Sequence, residues 1–231
     1  MADSECNQNA SGLCSETEGN TTTASGFSSH AEGYQTTASV SAAHAEGSHT
    51  LASGAASHAE GYMTLATIDA AHAEGAYTTA SGYGSHAEGY LTVSSGHAAH
   101  AEGQFTVASG NNAHSEGSMT QAIGLNSHAE GYLCVATGEP SHVEGYLSQA
   151  SGFISHAEGQ SWQVLSMPMP REITQRMGML LIQKDPEQER VVLVLMQKAA
   201  LQLFSRTTLF HILWDTPVKL YILSLGIWPM V

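Results

Sequence analysis

Residues 1–160 contain neither lysine nor arginine. They carry 16 acidic residues, while all seven basic residues lie in 161–231 beside five acidic ones, giving −16 and +2 and hence the net −14 of the chain. An acidic surface without a basic patch argues against nucleic-acid binding, because neutralising phosphates needs Lys and Arg. Cysteine is scarce as well. Cys6, Cys14 and Cys134 are too few and too scattered for a disulfide framework or a zinc site; a local Cys6–Cys14 bridge is left open. The start, Met1-Ala2-Asp3-Ser4-Glu5-Cys6, has neither the basic nor the apolar region of a Sec-type signal peptide. No uncharged apolar run reaches the length of a spanning helix, and Leu209–Val231 is interrupted by Asp215, Pro217 and Lys219, so no membrane insertion is expected. Large apolar residues are also too few before residue 160 to fill an ordinary globular core.

What is present is a strict period. Histidines stand 14 residues apart at His30, His44, His58, His72, His86, His100, His114, His128, His142 and His156. Each is followed two positions later by a glutamate: Glu32, Glu46, Glu60, Glu74, Glu88, Glu102, Glu116, Glu130, Glu144 and Glu158. Glu18 lies one period upstream. A short period without insertions marks a solenoid, in which each repeat is one coil stacked on the next. It also argues against an enzyme, since an active site is a single asymmetric constellation, and no catalytic residue or cofactor is expected.

Aligned on its histidines, the repeat reads Ser/Ala-His-Ala-Glu-Gly-Tyr/x-x-Thr-x-Ala-Ser-Gly-x-x, which splits into two halves of seven. Both halves follow Ser/Thr-x-Ala-x-Gly, a five-residue alternation closed by glycine, as in Ser29–Gly33; Val40 replaces the second glycine in one coil. Alternation predicts a strand and glycine a turn, so each coil should hold two short strands and two tight turns. Ser29, Ala31 and Gly33 should share the inner face, with His30 and Glu32 on the outer one. A helix is excluded, because glycine about every seven residues would cost roughly 1 kcal/mol each and apolar residues show no helical spacing. The expected fold class is all-β, a parallel β-roll of about eleven 14-residue coils with a narrow core of Ala, Ser, Thr and Gly. The residue after the repeat threonine should point outward. In this column Leu51, Leu65, Val93, Val107 and Val135 are candidates for contact with another chain. Tyr34, Tyr62, Tyr90, Tyr132 and Tyr146 share one further position, as turn residues or as a strip for contact with sugar or protein.

Thr106-Val107-Ala108-Ser109-Gly110 and Thr120-Gln121-Ala122-Ile123-Gly124 resemble the Ser-Val-Ala-Ile-Gly repeat of trimeric autotransporter adhesin heads of the YadA-like type. The resemblance covers roughly residues 11–160. It implies a left-handed parallel β-roll, a homotrimer with His30, Thr37 and their equivalents facing neighbouring chains or solvent, a place on the cell surface or outside the cell, and a host-surface protein or glycan as partner. The chain departs from the family in showing no signal-peptide pattern, heptad stalk or anchor barrel. The His-Ala-Glu-Gly variant is also similar to shafts of Gram-positive and phage appendage proteins, where a roll precedes a self-cleaving C-terminal domain.

The histidines and glutamates invite a third reading, a repeat-based metal binder. One coil offers two ligands where a structural site needs about four, so no metal is assigned and the ladder is read as structural. Its electrostatics are the sharper point. Unit charges about 4.8 Å apart repel by roughly 0.9 kcal/mol in water and about 3.5 kcal/mol at an effective dielectric of 20. With no Lys or Arg at hand, each histidine is expected to donate to a glutamate, and the rod to be more stable near pH 6 than near pH 9.

Three segments are therefore expected: an N-terminal segment or cap at 1–14, the roll at 15–160, and a non-repeat tail at 161–231. Within the tail, Leu181-Ile182-Gln183-Lys184 and Leu195-Met196-Gln197-Lys198 are still 14 apart. Codons for Met177–Asp185 exist that, read two bases later, encode Gly-Asp-Ala-Ser-His-Ser-Glu-Gly. The tail thus reads as a frame-shifted continuation of the repeats.

Overall fold

A computed structural model of the chain describes residues 7–160 together with strands at Gln163–Val164, Met177–Asp185, Arg190–Gln197, His211–Asp215 and Lys219–Leu223. The repeat region is a parallel β-solenoid of about eleven 14-residue coils. Each coil contributes one strand to each of two sheets. The His-Ala-Glu-Gly segments form an 11-stranded parallel sheet from Glu16–Asn20 to His156–Ala157, and the Thr-x-Ala segments form a 12-stranded one from Asn9–Ala10 to Gln163–Val164. The register is one full repeat throughout, so that His30 lies beside His44 and Thr37 beside Leu51. Rungs are closed by bonds such as His30 N–H to Ala43 O at 2.9 Å and Thr23 N–H to Thr36 O at 2.9 Å. The second sheet runs past the expected boundary at 160, because Gln149 still pairs with Gln163. The tail strands from Met177–Asp185 to Lys219–Leu223 form a separate four-stranded sheet that is antiparallel, so the parallel 14-residue stacking is not carried on in its backbone.

The core is as narrow as the composition demands. Its apolar members are alanines such as Ala24, Ala31 and Ala38, with Val143 and Cys134 the largest exceptions among the described residues. Ser29, Thr36 and their equivalents fill the remaining inward positions. Several inward serines satisfy themselves locally: the Ser29, Ser57, Ser141 and Ser155 hydroxyls donate to the carbonyl three residues earlier at 2.7–2.9 Å, whereas those of Ser94 and Ser127 have no partner. Inward threonines differ. The hydroxyls of Thr22, Thr36, Thr50, Thr64, Thr78, Thr92 and Thr106 are buried without a hydrogen-bond partner.

Two expectations about the turns need correction. Gly33 does not share the inner face with Ser29 and Ala31; it is exposed and has φ +109°, which ends the alternation at Glu32. Nor is glycine the left-handed turn residue. That conformation falls on nearly every seventh residue and, Gly84 apart, on non-glycines, as at Ser28, Gln35, Ala42, His49, Ala56 and Met63, with φ of 53–59°. A left-handed conformation costs a non-glycine roughly 1–2 kcal/mol. Here it aims the amide at the previous coil: Ser28 N–H donates to Leu13 O, Gln35 N–H to Asn20 O and Ala42 N–H to Phe27 O, at 2.8–2.9 Å. Each turn thereby joins the ladder. Cys14 has the same left-handed backbone and is an exposed free thiol; Cys6, its suggested partner, lies outside the described residues.

Candidate functional site

The repeat brings all ten histidines into one column. Imidazoles of successive coils stack face to face, from His30 on His44 to His142 on His156, with centroids 4.6–4.9 Å apart and planes within 8°. Parallel pairing in register leaves a side chain on the outer face no other place to go. The glutamates form a second column beside the first. His30, His44 and His58 face their own coil's glutamate at 3.4–3.6 Å. His86 is bracketed, with Glu74 of the previous coil and Glu88 of its own both 3.7 Å from Nε2. His128 is bracketed in the same way by Glu116 and Glu130 at 4.0 and 3.9 Å.

These are near contacts and not the donated bond expected at each rung. In nine of the ten, from His30 to His142, Nε2 is buried and has no hydrogen-bond partner. Nor are five of the histidines suited to act as protonated counter-charges. Burial, then repulsion from the flanking imidazoles, lowers the pKa of His44, His86 and His128 below the usual histidine value, and burial with repulsion from one neighbour does so at His100 (His114) and His142 (His156). The glutamates relieve their own repulsion instead. Hydrogen bonding to the carboxylates of Glu74 and Glu102 pushes Glu88 up to about 7, and hydrogen bonding to those of Glu130 and Glu102 pushes Glu116 up to about 7. The same bonds, now favouring the charged form, lower Glu74, Glu102 and Glu130. From Glu74 to Glu130, the raised acids Glu88 and Glu116 thus favour the protonated form and their lowered neighbours the charged form that accepts from them.

Opposed pH dependences follow. The raised Glu88 and Glu116 stabilise the fold below the unfolded carboxyl value, and that stabilisation is lost as pH rises through about 7. The lowered histidines leave the fold intact above their unfolded value and weaken it as pH falls through the histidine range. The lowered glutamates act only further down, below the unfolded carboxyl value. Glutamine mimics the protonated acid. The double variant Glu88→Gln, Glu116→Gln should therefore melt higher than the parent above pH 7, and the difference should shrink as pH falls and vanish by about pH 4.5. Melting curves at fixed salt check this; a pH-independent difference would show that the ladder does not share protons.

Further columns run along the rod. Leu51, Leu65, Val93, Val107 and Val135 do point outward in one row between buried neighbours such as Thr50 and Ala52, Leu65 exposed and the others half-buried; Leu51 lies beside Leu65 and Val93 beside Val107, with Thr79 and Gln121 interrupting the row. Tyr34, Tyr62, Tyr90, Tyr132 and Tyr146 are exposed, at 38–47%. Sequence reasoning missed their partners. His49, Tyr77 and Phe105 occupy the left-handed turn position one residue on, and interleave edge to face with the tyrosines at 5.3–6.0 Å. The result is a zigzag aromatic ribbon from Tyr34 to Phe105. A shallow groove also follows the Glu-Gly pairs from Glu102–Gly103 to Glu158–Gly159. No protein-family model and no curated protein matches the chain.

Proposed function

We propose that this chain is a non-enzymatic structural module of a surface fibre, a homotrimeric β-roll that serves as adhesive head or rigid spacer. One observation carries the reading: among the described residues, chemistry-bearing groups recur in full-length columns and not in one asymmetric pocket. A body of stacked identical rungs transmits force and spaces its ends, and its stability is a sum of nearest-neighbour contacts. The outward Leu51–Val135 row supplies an apolar strip for a neighbouring copy, and the exposed tyrosines supply flat faces for a protein or glycan surface. The place of action on this reading is the cell surface or the extracellular space.

Multi-angle light scattering tests the assembly. The parent chain should elute as three copies, and Leu65→Glu combined with Val93→Glu should give a folded monomer by circular dichroism. A monomeric parent would remove the trimer from the proposal.

A further inference from the structure

The stack removes the objection that one coil offers too few ligands for a metal. Three donors from two successive coils come together: Glu74 of one coil and Glu88 of the next both lie 3.7 Å from His86 Nε2, and Glu116 and Glu130 lie 4.0 and 3.9 Å from His128 Nε2, within clusters of histidine and glutamate donors that recur along the column. The Nε2 atoms that face the carboxylates have no hydrogen-bond partner. The contact distances of 3.4–4.0 Å sit at or just above the roughly 3.4 Å that separates two donors on one tetrahedral ion with bonds near 2.1 Å. A glutamate side chain closes that gap by a small rotation.

We propose that the histidine–glutamate column is an array of sites for divalent transition ions of the zinc class, filled at alternate rungs. Each ion takes one imidazole Nε2 and one carboxylate oxygen from each of two coils, as His86 with Glu74 and Glu88. Water completes the shell. Two features fix this arrangement. The stacked rings are nearly parallel, at 0–8°, so neighbouring in-plane lone pairs run side by side and cannot converge on one ion; each ion takes one ring and is tied to the next coil through carboxylate. Charge sets the occupancy. With no Lys or Arg before residue 161, one divalent ion neutralises two glutamates once both are ionised as ligands, whereas ions on every rung would lie at the 4.6–4.9 Å ring spacing and repel. The imidazole selects zinc-class ions over calcium and magnesium, which take oxygen ligands.

The test uses the full chain without an affinity tag. Zinc titration by calorimetry, and cobalt titration followed by its visible absorption, should saturate at about five ions per chain, half the ten rungs. Excess magnesium should leave that number unchanged. The variant Glu60→Gln, Glu74→Gln, Glu88→Gln, Glu102→Gln should bind about two ions fewer, with its circular dichroism retained. Saturation tracking the 13 histidines of the chain, displacement by magnesium, or undiminished binding by a folded variant would each overturn the proposal. If the variant fails to fold, the parent's stoichiometry and the magnesium competition decide alone, and absence of saturable zinc binding overturns it.

Discussion

Gly103→Ala is expected to destabilise the roll by more than about 3 kcal/mol, or to break it into two independently melting halves. A Cβ at Gly103 would stand 2.2 Å from the carbonyl oxygen of Gly117 in the next coil, with the Gly117 amide nitrogen and carbonyl carbon at 3.0 and 3.1 Å, all of it backbone. The residue also has φ +101°, a region that strains any L side chain by about 1–3 kcal/mol. Neither cost can be relieved locally, because moving one coil moves its register with both neighbours. The repeat supplies its own control. This glycine is unbroken from Gly19 to Gly159, whereas the glycine of the second half is replaced by Val40 and Ile68. A second control is Gly84, at φ +60° with nothing within 4 Å of its would-be Cβ. It stands at the left-handed turn position that Ala70 and Ala98 fill in adjacent coils, so Gly84→Ala should cost only the backbone term of about 1–2 kcal/mol. Urea unfolding of the pair measures the contrast. Equal, small losses would mean that the stack has slack the coil spacing does not show.

Much of this architecture is legible from letters alone. The strict spacing of His30 to His156 fixes coil length, and Ser/Thr-x-Ala alternation fixes two strands per coil, because only small residues can face a core so narrow. The outward placement of Leu51 and Val93 follows from their being next to inward Thr50 and Thr92. The turns are less legible. Left-handed residues are as varied as Ser28, Gln35, Met63 and Leu91, since the cost is offset by an amide bond to the previous coil and not by any side chain. No propensity marks such a position, and for that reason Tyr77 and Phe105 go unrecognised as partners of the tyrosine column.

The candidate site is half legible in the same sense. That His and Glu share a face is a matter of period. That His86 meets carboxylates from two coils is a matter of stacking, which pools ligands no single repeat contains. Proton sharing between Glu74, Glu88 and Glu102 has the same origin. It assigns to the acids the relief of repulsion that sequence reasoning gave to the histidines.

The threonine ladder carries the other large expectation, of opposite sign. Thr36→Val, Thr64→Val and Thr92→Val should together stabilise the roll by about 2–4 kcal/mol. Each hydroxyl is buried without a partner, and leaving a buried polar group unsatisfied costs about 1–3 kcal/mol. Valine has threonine's shape and the same preference for strands, so the exchange removes the penalty and leaves no cavity. The chain contains variants of its own at this position. Cys134 fills it while fully buried, with burial raising its thiol pKa. Thr120, by contrast, finds partners in Ser115 at 2.8 Å and the Glu116 carbonyl at 3.0 Å, and Thr120→Val should therefore destabilise. The three chosen sites are two coils apart, roughly 9.6 Å at strand spacing, far enough for their effects to add. A higher urea midpoint with unchanged slope for the triple variant, and a lower one for Thr120→Val, is the expected result. A loss in both would mean that the core threonines do satisfy their hydroxyls, and that the narrow interior is held by a polar ladder as well as by alanine.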